Sequence, residues 1–92
     1  MNLQNHYIVC AIERDAPYFE FGYVRNLSGD DVEWSRSEKD ALRTNDKDLL
    51  EKIAKVISGY GKRGKIDIMP WFFQVLENGK IARRRTFEQD LI

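Results

Sequence analysis

The spacing of apolar residues changes along the chain, and each spacing predicts a different element. Tyr7-Ile8-Val9-Cys10-Ala11-Ile12 is a nearly uninterrupted apolar run ending before Asp15-Ala16-Pro17, the pattern of a central strand. Phe19, Phe21 and Tyr23 then alternate with Glu20, Gly22 and Val24. That two-residue period predicts a strand with the three aromatics on its core face, and the short Ala-Pro connection predicts a hairpin. Ser28-Gly29-Asp30-Asp31 is turn chemistry, after which Val32 and Trp34, separated by Glu33, predict a third strand.

From Asp46 to Ser58 the period lengthens to that of a helix. Leu49, Leu50, Ile53, Ala54, Val56, Ile57 and Tyr60 fall within one arc of about 160°, with Asp48, Glu51, Lys52 and Lys55 outside it. Thr44, Asn45 and Asp46 are candidate N-caps, and Gly59 or Gly61 a left-handed stop. Asp48 with Lys52 and Glu51 with Lys55 form i,i+4 pairs. Beyond the helix, Lys65 to Met69 resumes a strand pattern, and Pro70 predicts a bulge or an edge. Trp71 to Leu76 runs into Glu77-Asn78-Gly79-Lys80, and Asn-Gly between extended runs predicts a tight hairpin pairing Leu76 with Ile81 and Val75 with Ala82. The order is three strands, a helix and two strands. It predicts an α+β domain, a βββ-α-ββ antiparallel sheet of about five strands with one amphipathic helix on one face.

Composition narrows the class. With 92 residues, 42% apolar and 33% charged, the chain reads as a single globular domain spanning 1–92. One cysteine, Cys10, allows no internal disulfide, and neither a signal peptide nor a membrane-length apolar run is present, so a cytoplasmic protein with no membrane association is expected. Net charge is zero, yet residues 1–46 hold nine acids and five bases while residues 47–92 hold six acids and ten bases.

Across Trp34-Ser35, Ala41, Leu49, Ile53, Ile66-Asp67-Ile68 and Trp71-Phe72-Phe73-Gln74-Val75, about half of the chain resembles small proteins encoded by bacteriophages and prophages. Those proteins carry a β-meander, a helix and a returning strand. The resemblance implies a phage accessory role, such as inhibition of a host defence enzyme in the manner of anti-CRISPR proteins, in a bacterial host cytoplasm. It implies no functional site, because the shared residues are of core-packing type.

Catalytic chemistry finds little support. Gly59-Tyr60-Gly61-Lys62-Arg63-Gly64 spells G-x-G-x-x-G, but it closes a helix and precedes a strand, whereas phosphate binding needs the N-terminal, positive end. His6 is the sole histidine; four residues from Cys10 on one strand, it lies about 13 Å away, too far for a nucleophile–base pair. Glu13, Asp15, Asp30, Asp31 and Glu33 lack the ligand spacing of a calcium loop. No catalytic residue, metal ligand or cofactor is assigned, and an enzyme is not expected.

The surface feature with most content is basic. Lys62, Arg63, Lys65, Lys80, Arg83, Arg84 and Arg85 stand against only Asp67 and Glu77, near Trp71, Phe72 and Phe73. Arg83, Arg84, Arg85, Lys62, Arg63, Lys65, Trp71, Phe72 and Tyr60 are therefore the candidate partner-binding residues. The leading expectation is a non-catalytic protein-interaction module, binding another protein or itself as a homodimer. The alternative is a small nucleic-acid-binding protein that stacks bases on the aromatics. In an inhibitor, the acids of residues 13–40 could also mimic nucleic acid. A solvated, charge-guarded edge strand accounts for the same bases without any partner.

Overall fold

The computed structural model describes residues 2–14, 20–60 and 67–82. Its order is β1 (Asn2–Glu13), β2 (Glu20–Ser28), β3 (Asp31–Ser35), a 3-10 turn (Glu38–Asp40), β4 (Thr44–Asp46), α1 (Lys47–Ser58) and β5 (Ile68–Val75). The strands form one five-stranded antiparallel sheet, and the single helix makes this the α+β class that the pattern predicts.

β1 organises the sheet because it is long enough to serve several partners. Along one edge, His6 to Glu13 pair continuously with Val75 to Ile68 of β5. Along the other, Cys10, Ala11 and Ile12 pair with β2, while Tyr7 and Asn2 pair with Thr44 and Asp46 of β4. The segment leading into β4 is tied to β2 as well, since the Leu42 amide donates to the Val24 carbonyl at 2.9 Å. β4 is a strand the apolar pattern does not predict: Thr-Asn-Asp carries no hydrophobic signal, and its extended form comes from pairing with β1.

The helix begins where the cap chemistry places it. Asp46 accepts from the amides of Asp48 and Leu49, and Leu50, Ile53, Ala54 and Ile57 are buried, each branched side chain contributing about 1.5–3 kcal/mol. They pack on Val9, Ala11, Val24, Val32, Ile68 and Phe72. Gly59 ends the helix at φ −79, a right-handed conformation, and Gly61, the other candidate stop, lies outside the described residues; Lys47 and Glu51 form an i,i+4 ion pair at 3.8 Å.

The other face of the sheet is buried too. Ile8, Cys10 and Ile12 are at most 1% exposed and pack with Tyr23, Ala41 and Phe73, flanked by Met69, Trp71, Val75 and Ile81. An unbroken apolar run in β1 is what a strand with both faces in a core requires.

β5 passes through Pro70 without interruption, Pro70 lying opposite Ala11. The alternation of antiparallel bonding explains why. Gln74 and Leu76 turn their backbone groups to Ala82 and Lys80, so Val75, Phe73, Trp71 and Met69 turn theirs to β1, and Pro70 falls on the outward parity, where its missing N–H costs no bond to β1. The hairpin after β5 is wider than the Asn-Gly signal suggests. Gly79 N–H bonds the Leu76 carbonyl, Leu76 N–H bonds the Lys80 carbonyl, and Val75 faces Ile81, not Ala82. Gly79 has φ +81, and among the described residues no residue other than glycine takes a positive φ. The turn is therefore a type I turn closed by a glycine bulge, which shifts the register by one residue. Of the expected fifth strand, the described residues include the bridge at Ile81.

Candidate interaction surface

Six of the sequence candidates, Lys62, Arg63, Lys65, Arg83, Arg84 and Arg85, lie outside the described residues. The aromatic candidates are placed, and not on an open surface. Phe72 is 1% exposed beneath the helix and Tyr60 is 3% exposed, so neither offers a face for stacking. Phe72 is on the helix side because it pairs with Val9, between two residues of opposite parity. Trp71 is half-buried on the opposite face, edge-on to Phe73 at 6.4 Å.

Tyr60 has a structural task instead. Its hydroxyl donates to the Asp31 carboxylate and accepts from the Val32 amide at 3.4 Å, joining the end of α1 to the start of β3. Burial, together with the hydrogen bond to Asp31, pushes the Tyr60 phenol above its ordinary value. The same Val32 amide is also held by Asp31 Oδ1 at 2.8 Å.

An exposed aromatic does occur, at a place the alternation pattern predicts as core. Opposite Ala11 and Ile12, β2 presents Gly22 and Glu20, so Phe21 is the extra residue of a bulge. A second bulge at Arg25 lies between Val24 and Asn26. The first one turns the Phe21 ring out to 40% exposure, where it stands edge-on to Trp34 with centroids 5.0 Å apart and planes at 85°. Trp34 in turn meets Tyr60 at 6.2 Å. Trp34 can lie there because position 22 has no side chain: a Cβ on Gly22 would sit 3.4 Å from Trp34 Cε3 and from the Ser35 carbonyl oxygen. The three rings thus run from the buried Tyr60 ring out to solvent at Phe21, each edge-to-face contact adding about 0.5–1.5 kcal/mol.

Two shallow depressions of about 300 Å³ each adjoin this ring stack. One is lined by Glu20, Phe21, Gly22, Tyr23 and Arg36, the other by Phe21, Gly22, Trp34, Ser35 and Arg36. Arg36 is exposed and borders both. Across the first, the Tyr23 hydroxyl donates to Glu20 Oε2 at 3.3 Å. A rigid ring, a neighbouring indole and a guanidinium can grip an apolar or aromatic side chain next to a carboxylate. Among the described residues no group of three His, Cys, Asp or Glu side chains is placed to hold a metal, and Cys10 is buried while His6 is exposed.

Comparison of the chain with protein-family models, with curated proteins and with solved structures finds no match.

Proposed function

We propose that this domain is a non-catalytic protein-binding module whose docking point is the Phe21–Trp34 ring pair with Arg36 beside it. The observation that carries the reading is the outward Phe21 ring, 40% exposed and braced at 5.0 Å by Trp34. Interface hot spots draw on aromatic and arginine side chains that are already rigid before binding, because little side-chain entropy is then lost. Lys62, Arg63, Lys65 and Arg83 to Arg85 stay in the reading as sequence candidates for a charged rim. Inhibition of a host enzyme by occlusion, which the phage resemblance implies, is one use of such a surface.

The test is affinity capture from the native host with the wild-type chain, Phe21→Ala and Arg36→Glu, followed by measurement of binding to the captured protein. Loss of about tenfold or more in affinity in each variant, with the circular dichroism spectrum of the folded wild type retained at the assay temperature, supports the reading. Retention of the partner by both variants overturns it. Titration with single- and double-stranded DNA and RNA decides the alternative: tight binding that collapses with added salt would make the domain a nucleic-acid binder.

A further inference from the structure

The Asn-Gly pair of the last hairpin carries a chemistry beyond its part in the turn. Of the five asparagines, Asn2, Asn5, Asn26, Asn45 and Asn78, only Asn78 precedes a glycine. In the others the side chain of Leu3, His6, Leu27 or Asp46 crowds the amide nitrogen that follows. Gly79 leaves its nitrogen clear, and even an added Cβ would meet nothing nearer than Arg43 Nη1 at 3.8 Å. Residues 76–80 are all exposed, so water reaches the Asn78 carboxamide.

That nitrogen and that carboxamide can react with each other. Gly79 N gives up its proton to solvent and attacks Asn78 Cγ; a C–N bond forms, the Cγ–Nδ2 bond breaks, and ammonia leaves. Water then opens the cyclic imide at either carbonyl. One opening gives aspartate, and the other gives isoaspartate, in which the main chain runs through the former side chain. Water is the one co-reactant, and nothing is oxidised or reduced.

The turn holds both reactants back. Asn78 occupies the third position of a type I turn, where ψ lies near about 0°. Ring closure has to bring Gly79 N into line with Cβ about the Cα–C bond, so ψ must rotate and the turn must open. Three hydrogen bonds resist that rotation. Gly79 N–H donates to the Leu76 carbonyl at 2.9 Å, Lys80 N–H donates to Asn78 Oδ1 at 3.0 Å, and the Arg43 guanidinium donates to the Gly79 carbonyl at 3.0 Å. Arg43 is itself fixed to the sheet, between Leu42, which bonds Val24, and Thr44, which pairs with Tyr7.

We infer that Asn78 is a site of spontaneous deamidation and isomerisation whose rate is set by opening of this turn, with Arg43 as the residue that holds it shut. The aspartyl product adds a negative charge at the tip. The isoaspartyl product lengthens the main chain by one carbon inside a turn whose register depends on its residue count, and so loosens the hairpin. The inference does not rest on the Phe21–Arg36 reading.

The test is prolonged incubation of the folded chain in neutral buffer beside a capped synthetic peptide of residues 75–81. Acidic digestion and mass spectrometry follow, with chromatographic separation of the aspartyl and isoaspartyl peptides. Asn78 is expected to convert in the folded chain about tenfold or more slowly than in the peptide, because its hydrogen bonds must open first. Arg43→Ala, an exposed position at which the folded spectrum is checked by circular dichroism, converts about twofold to tenfold faster than wild type. Amide exchange on the wild type gives a reading free of substitutions: the slowing of Gly79 exchange relative to the peptide matches the slowing of conversion within about threefold. Conversion at the peptide's rate, no conversion at Asn78, an Arg43→Ala rate equal to wild type, or Gly79 exchange that fails to track conversion would overturn the inference.

Discussion

Replacing Tyr60 by Phe isolates the hydroxyl that ties α1 to β3. The ring, 3% exposed, keeps its packing against Trp34, and the Val32 amide keeps its 2.8 Å bond to Asp31, so no buried donor is orphaned. What is lost is a hydrogen bond to a carboxylate, a class worth about 1.5–3 kcal/mol. Asp31 is exposed and recovers water when the hydroxyl goes, which sets the expectation at the lower end, about 1.5 kcal/mol. For a domain of this size that corresponds to a fall of about 6–12 °C in Tm. The pH dependence has a definite sign. The folded Tyr60 pKa is raised by burial and by the Asp31 hydrogen bond, so the folded state holds this proton more tightly than the unfolded state. The stabilisation is complete below the unfolded value of about 10 and is lost as pH climbs through the folded value. Urea unfolding of wild type and Tyr60→Phe at pH 7 and at a series of pH values above 10 measures both effects. A difference under about 0.5 kcal/mol at pH 7, or one that fails to narrow in alkali, refutes the assignment of Tyr60 as a clamp.

Asp46→Ala removes the acceptor of the Asp48 and Leu49 amides and is expected to destabilise by about 1 kcal/mol, seen as a lower urea midpoint at unchanged slope. Gly79→Ala forces a side chain into φ +81, although the nearest atom to its Cβ, Arg43 Nη1, is 3.8 Å away; the cost of about 1 kcal/mol is therefore conformational, and Gly79→Asn should recover part of it in thermal unfolding.

Much of the architecture is legible along the chain. The Ile8–Ile12 run specifies a strand with no solvent face, and the Leu50, Ile53, Ala54, Ile57 spacing with Asp46 before it specifies a capped helix nearly to the residue, because both signals are local and repeat over several turns or pleats. Val32 and Trp34 likewise mark β3. The surface is harder to read. One bulged residue moves Phe21 from the expected core face to solvent, and one glycine bulge shifts the last hairpin by a residue. Gly22, a glycine inside a strand, is the one sequence signal for the first of these, and Gly79 serves either turn type equally well.

The chain by itself determined the types of β1, β2, β3 and α1 and the helix boundaries, since propensity, capping and periodicity act between near neighbours. Only the tertiary structure decided that Tyr60 and Phe72 are interior, that Thr44–Asp46 is a strand, and that Phe21 faces out. Each of these turns on register and pairing between segments far apart in the chain, where a shift of one position exchanges inside for outside while the local preferences stay the same.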